Sequence, residues 1–291
     1  MTDLLPRPRR SVLYMPAINA RAMQKATQLD ADALVFDLED AVAPSQKAEA
    51  RQQLVNQLAS NDYAHRERIV RVNGVDTPWF DDDVAVLAQL DIDGVALPKV
   101  ESVAQLQQMA NALQTAGAPA LPLWPMIETP RGVQQVEAIA AAALPVSCLV
   151  MGTSDLGKEL QLGPSEQRLG LQYALSRCVL AARAQGLDIL DGVCLAIKDA
   201  AQLEHDVRQG VALGFTGKTL IHPSQLAISN QLFGVSEQQA VDAQRVIEAS
   251  QQAEREGSGV AVLDGKLVES LHVAQAQQVL ALFQAISERG Y

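Results

Sequence analysis

Eight short runs rich in Val, Ile and Leu recur along this chain, each separated from the next by a longer segment of helical period, and this alternation constrains the fold most. The runs cover 12–15, 33–37, 69–72, 94–97, 121–127, 147–151, 189–193 and 218–221. Between them, 19–29, 45–58, 78–90, 102–116, 130–142, 166–185 and 199–213 repeat apolar positions at helical spacing. Several of these open on Ser, Asn, Asp or Pro, residues suited to a helix start. Strand ends recur at about 25 to 35 residues, the length of a strand, a helix and two short loops. Count and spacing together predict an α/β fold, a (β/α)8 TIM barrel, with a doubly wound sheet as the alternative.

The barrel is expected over 1–229, and 230–291 reads as a C-terminal helix–hairpin–helix appendage. Two helical segments, 237–256 and 271–288, flank 260–268, where Asp264-Gly265 between alternating apolar residues suits a type I′ turn. So small a unit has little core of its own. It is expected to pack on the barrel or on a neighbouring subunit.

The chain of 291 residues has 23 basic and 34 acidic side chains, a net charge of −11. That balance argues against a nucleic-acid or anionic-membrane partner. The longest apolar stretch, 138–151, is too short to span a bilayer and contains Pro145 and Ser147. Residues 1–10 lack the apolar region of a signal peptide. Cys148, Cys178 and Cys194 lie in apolar segments without a CxxC spacing, and read as reduced core thiols of a cytoplasmic protein.

In such a barrel the active site lies at the carboxyl ends of the strands, so unusual side chains there point to chemistry. Arg9-Arg10 adjoins strand one, and strand two ends in Asp37-Leu-Glu-Asp40. Arg71 belongs to strand three, Lys99 follows strand four, Glu128 closes strand five and Asp155 follows strand six. Glu128 and Asp155 offer the two carboxylates that a Mg²⁺ site commonly needs, with waters and substrate oxygens completing the octahedron. Arg71 has a planar fork that can hold a carboxylate in two parallel hydrogen bonds. Together they suit a 2-oxo or 2-hydroxy acid chelated through its carboxylate and adjacent oxygen. A structural ion-pair network across the barrel top is the competing reading.

Asp37, Glu39 and Asp40 cannot all face one way. Asp37 and Glu39 share a strand face, so one of them is expected in the pocket while Asp40 caps the next helix. Glu39 reads as an acid/base group or as a holder of metal-bound water, or else as a salt-bridge partner of Arg10 or Lys99. His65, His205, His222 and His272 show no metal spacing. Gly217-Lys-Thr219 lacks the opening glycine of a phosphate loop, and no GxGxxG follows a strand. Arg21, Lys25, Lys47 and Arg51 flank the first two βα loops, as solvated helix faces or as holders of ligand phosphates.

Seven strings occur in order: Arg10-Ser-Val-Leu-Tyr-Met-Pro16, Val35-Phe-Asp-Leu-Glu-Asp-Ala-Val42, Arg71-Val-Asn-Gly74, Leu97-Pro-Lys99, Met126-Ile-Glu128, Gly152-Thr-Ser-Asp155 and Gly217-Lys-Thr-Leu-Ile-His-Pro223. In register, they resemble the citrate lyase β-subunit-like family of the HpcH/HpaI aldolase superfamily. The resemblance implies a (β/α)8 barrel, Mg²⁺ dependence and reversible carbon–carbon cleavage of a 3-hydroxyacyl thioester. It implies Glu128 and Asp155 as metal ligands, and Arg71, Lys99, Gly152 and Thr153 as substrate-binding residues. Arg10 would face the thioester enolate, with Glu39 and Asp40 in the acid/base set. The implied partners are an acyl-CoA thioester and a small 2-oxo acid. Citramalyl-CoA is the lead substrate, giving pyruvate and acetyl-CoA in a homo-oligomer (trimer or hexamer). The alternatives are a citryl-thioester lyase subunit working with an acyl-carrier partner, a malyl-CoA lyase or thioesterase, and a non-catalytic subunit.

Overall fold

The computed structural model describes residues 6–118, 121–163, 168–258 and 260–289. The first five residues of the expected barrel unit, the predicted helix start at 166–167, and 290–291 of the expected appendage lie outside the described residues. The described residues form two compact units, one within 9–230 and a second from 6–8 with those of 231–289.

In the first unit eight parallel strands close on themselves in sequence order. They are β1 (Ser11–Pro16), β2 (Ala33–Asp37), β3 (Glu67–Arg71), β4 (Gly94–Leu97), β5 (Leu123–Ile127), β6 (Cys148–Met151), β7 (Asp188–Asp191) and β8 (Gly217–Leu220). The seam between β8 and β1 pairs Ser11 with Lys218 and Leu13 with Leu220, which completes the barrel predicted from the eight apolar runs. Helices α1 (Ala20–Ala26), α2 (Lys47–Ser60), α3 (Phe80–Leu87), α4 (Val103–Thr115), α5 (Pro130–Ala140), α6 (Thr153–Glu159), α7 (Gln172–Ala184) and α8 (Ala200–Leu213) link successive strands. β6 is followed by two helical pieces where the periodicity predicted one. The first, α6, is only seven residues long, too short for its period to stand out in sequence.

Strand after strand is buried on both faces, as β2, β4, β5 and β6 are along their whole lengths, because the barrel interior is filled by side chains and the helices cover the outside. Val12, Val35, Ile69, Trp124, Met126 and Leu190 pack in the barrel centre. A fully buried side chain of this kind stabilises by roughly 1.5–3 kcal/mol, and these side chains fill the barrel interior as a packed core and leave no pore through it.

After β8 come α9 (Leu226–Phe233) and α10 (Glu237–Arg255), then the hairpin β9 (Ala261–Leu263) and β10 (Lys266–Val268), and α11 (Ser270–Ser287). The hairpin turns at Asp264 (φ 48°) and Gly265 (φ 75°), the two left-handed residues that a type I′ turn requires. Among the described residues no helix is long and apolar enough to cross a membrane.

Candidate active site at the barrel mouth

At the carboxyl ends of the strands lies a cavity of about 440 Å³. Asp37, Asp40, Arg71, Glu128 and Asp155 line it together with apolar side chains such as Met126, Met151, Val193 and Ile221.

Glu128, the residue after β5, is 2% exposed and accepts the Lys99 backbone N–H on Oε1 at 2.7 Å. Burial first, and the nearby charge of Glu39 second, push its carboxyl up to about 7. Gly152, which ends the run through β6, leaves the space Glu128 occupies. A Cβ there would overlap Glu128 Oε2 and Cβ and lie 3.0 Å from Cδ. Asp155 stands in the first turn of α6, a third exposed, with Lys99 Nζ at 3.8 Å. Glu128 and Asp155 therefore bring two hard anionic oxygen donors to one open cavity. No group of three or more His, Cys, Asp or Glu side chains is set to hold a metal among the described residues. Two carboxylates with room for water fit Mg²⁺, which keeps several waters, and do not make a closed zinc cage. A cation would also relieve the buried charge of Glu128.

Arg71 ends β3, and Asp37 ends β2 beside it. The guanidinium donates Nε–H to Asp37 Oδ1 at 2.7 Å and Nη2–H to Oδ2 at 2.6 Å. Nη1 is 2.9 Å from Glu39 Oε2 but not aligned to hydrogen-bond it, and the guanidinium lies over the Tyr14 ring at 5.0 Å. Burial works against the charge, but Asp37 outweighs it and holds Arg71 ionised. Two of its N–H donors go to Asp37, so the Nη1 edge keeps donors for a ligand carboxylate. Asp37 also accepts the Glu39 and Ala41 backbone N–H groups at 2.8 and 3.0 Å.

This corrects the expectation for Asp40. The helix α2 begins only at Lys47, after a 3₁₀ turn at Pro44–Gln46, so Asp40 is not a helix cap and stands exposed on the cavity wall. Glu39 lies behind that wall, with Oε1 taking a 2.8 Å hydrogen bond from Lys99 Nζ, the salt bridge that was its alternative reading. Lys99 does not line the cavity either. It has φ 49°, a left-handed conformation that costs a non-glycine residue roughly 1–2 kcal/mol, and this turn aims its N–H at Glu128 and its amine at Glu39. Lys99 is thus placed to tie carboxylates together. Gly152 and Thr153 do line the cavity.

Arg10 is the expectation the structure overturns. It precedes β1, whose six residues span roughly 20 Å, and so it lies at the amino end of the barrel, opposite the cavity. There its Nε and Nη2 form a fork on Asp32 at 2.9 and 2.8 Å, just before β2. Arg9 is beside it on Glu67 and Asp188, the first residues of β3 and β7. These pairs stitch the closed end of the barrel.

Lys47 is neither a solvated cation nor a phosphate ligand. Buried, it donates to Leu38 O, Glu39 O and Asn73 Oδ1 at 2.7, 2.8 and 2.7 Å. Asn73 in turn binds Asp83 at 2.6 Å, and Asp83 receives Arg51 at 2.9 Å. This network fixes the loops that carry Asp37, Glu39 and Arg71. Asn73 within the Arg71-Val-Asn-Gly74 string was its one trace in sequence. Arg21 and Lys25 remain exposed.

The sequence model of HpcH/HpaI aldolase/citrate lyase matches residues 10–223. The chain belongs to this family. Relatives within it include a (3S)-malyl-CoA thioesterase of Cereibacter sphaeroides, 49% identical over 96% of this chain and 96% of that one. The mitochondrial citramalyl-CoA lyase of Homo sapiens is 31% identical over 97% of this chain and 87% of its own. The protein CitE from Mycobacterium tuberculosis, solved with magnesium, acetoacetate and coenzyme A, superposes with a TM-score of 0.77 at 30% identity, covering 97% of this chain and all of that one. The family match runs through β8 to Pro223, the whole span that supplies the cavity lining.

Proposed function

We propose that this chain is a Mg²⁺-dependent carbon–carbon lyase for a short 3-hydroxyacyl-CoA ending in a carboxylate. The observation that carries the reading is that Arg71, Glu128 and Asp155 line one cavity at the barrel mouth. The relatives move the lead acyl group from citramalyl to (3S)-malyl, since the thioesterase named for that substrate is 49% identical and the citramalyl-CoA lyase 31%.

In this reading Glu128 and Asp155 hold Mg²⁺, as the magnesium complex of the CitE relative supports. The bound ion would act as a Lewis acid that acidifies the 3-hydroxyl and offsets the charge of the acid end. Arg71, locked by Asp37, orients the substrate carboxylate through its Nη1 edge. Asp40, which lines the cavity, accepts the 3-hydroxyl proton. As that oxygen becomes a carbonyl, the C2–C3 bond breaks and its electron pair moves onto the acetyl thioester as an enolate. Protonation at C2, balanced by the proton that Asp40 took from the 3-hydroxyl, then releases acetyl-CoA beside glyoxylate. With Arg10 at the far end, the hydroxyls of Thr153 and Ser154 are the lining donors for the thioester oxygen.

Hydrolysis of the same thioester to malate and CoA is the second reading, and two observations favour it. Relatives at 48–49% identity are named (3S)-malyl-CoA thioesterases. Arg71 is also the one cation among the described residues lining the cavity, a sparse provision for an enolate. Mass spectrometry of a reaction on (3S)-malyl-CoA and citramalyl-CoA with Mg²⁺ separates the two. Glyoxylate or pyruvate with acetyl-CoA supports the lyase, malate or citramalate with free CoA supports the hydrolase, and neither product refutes both.

The reading includes a cytoplasmic homo-oligomer, trimer or hexamer. Three buried free cysteines and the exposed Leu169, Tyr173 and Leu180 support it, and light scattering on the purified protein tests the assembly.

A further inference from the structure

The carboxyl end of β7 holds a group of buried charges with no part in the chemistry above. Asp191 and Lys218 are both fully buried, and Arg168 is nearly so. The Asp191 carboxylate accepts Arg168 Nη1 at 2.8 and 2.9 Å, Lys218 Nζ at 2.9 Å and the Gly192 N–H at 2.8 Å. Lys218 Nζ also donates to Gly192 O, and Thr219 Oγ1 donates to Asp191 O at 2.9 Å. Both peptide groups flanking Gly192 are therefore pinned. Burial opposes the charge of Asp191, but Lys218 and Arg168 outweigh it and hold its carboxyl below the usual range.

Gly192 transmits that rigidity. A Cβ on it would overlap Thr153 Oγ1 and lie 2.6 Å from Thr153 Cγ2 and 2.8 Å from Thr153 Cβ, so the glycine backbone and the threonine are in direct contact. Thr153 is the first residue of α6, whose first turn carries Asp155. On the other side of α6, the chain returns at Arg168, in the left-handed region at φ 50° and anchored on the same Asp191.

We infer that Asp191 is a positioning residue which, through Gly192 and Thr153, sets where Asp155 stands relative to Glu128. The inference rests on the proposed metal site. Two buried cations on one carboxylate give a corner that cannot rotate, and a divalent-ion site with few protein ligands depends on their spacing.

Calorimetric Mg²⁺ titration of the purified protein tests this, with thermal unfolding in chelator recorded on the same samples. Gly192→Ala should displace Thr153 and weaken Mg²⁺ binding about tenfold, while the melting temperature falls by only a few degrees. Adding Thr153→Ala removes the two tightest contacts and should recover affinity to within about threefold of wild type. Arg168→Gln, which leaves Lys218 on Asp191, is the milder variant and should weaken Mg²⁺ by threefold or more. Wild-type affinity in Gly192→Ala and Arg168→Gln, or no recovery in the double variant, overturns the inference alone. Absence of Mg²⁺ binding by the wild type overturns the metal site and the inference together.

Discussion

Glu128→Gln should make the metal-free protein more stable at pH 8 while removing its response to Mg²⁺. The variant keeps an oxygen to accept the Lys99 N–H and removes a charge that is buried beside Glu39. In the unfolded chain the carboxyl ionises near its ordinary 4.5, whereas in the fold it stays protonated until about 7. Between those values the folded state binds more protons, so stability declines as pH rises and levels off above 7. The full decline is roughly 3 kcal/mol. At roughly 2–4 °C per kcal/mol for a domain of this size class, and allowing for relaxation around the charge, a gain of roughly 5 °C over wild type is expected at pH 8. At pH 5 the two proteins should melt nearly together. Scanning fluorimetry from pH 5 to 8.5, in chelator and with saturating Mg²⁺, measures both effects. Wild type should regain with Mg²⁺ what it lacks against the variant, and the variant should not move. A variant that melts lower than wild type at pH 8 in chelator, or a difference that does not change with pH, would refute this reasoning.

Gly152→Ala places a methyl group where Glu128 lies, so it should cost about 1–3 kcal/mol of stability and lower Mg²⁺ affinity tenfold or more in calorimetry. Arg71→Lys loses the fork on Asp37 and the oriented edge beyond it, and should weaken 2-oxo acid binding by about 2 kcal/mol, read as a roughly thirtyfold rise in KM or Kd. Arg10→Lys tests the reassignment. The ammonium keeps the charge but loses the two-point fork on the buried Asp32 carboxylate, so it should destabilise the barrel by about 1–3 kcal/mol, seen in chemical denaturation, with kcat/KM per folded molecule unchanged.

What sequence could convey differed from residue to residue. The eight strands were legible because strands buried on both faces read as apolar runs. Glu128 and Arg71 were legible because a charge at the end of such a run is costly unless used. Asp155 was legible as a residue, but its support was not, since a seven-residue helix has no visible period. Arg10 was misread because it is adjacent in sequence to an apolar run. Only residues after a parallel strand reach the mouth, and one before it belongs to the opposite end. Asp191, Lys218 and Arg168 were invisible because their meaning lies in mutual contact across 23 and 27 positions. The space at Gly152 and Gly192 likewise exists only once Glu128 and Thr153 have been brought against them.

Calorimetric titration of glyoxylate and of pyruvate measures whether a 2-oxo acid is held between Arg71 and a Mg²⁺ on Glu128 and Asp155. Wild type and Asp155→Asn are compared, each with Mg²⁺ and with chelator. Wild type should bind either acid in Mg²⁺ with an affinity that falls at least tenfold in chelator, and Asp155→Asn should show the same loss with Mg²⁺ present. Equal affinity under all four conditions would contradict it.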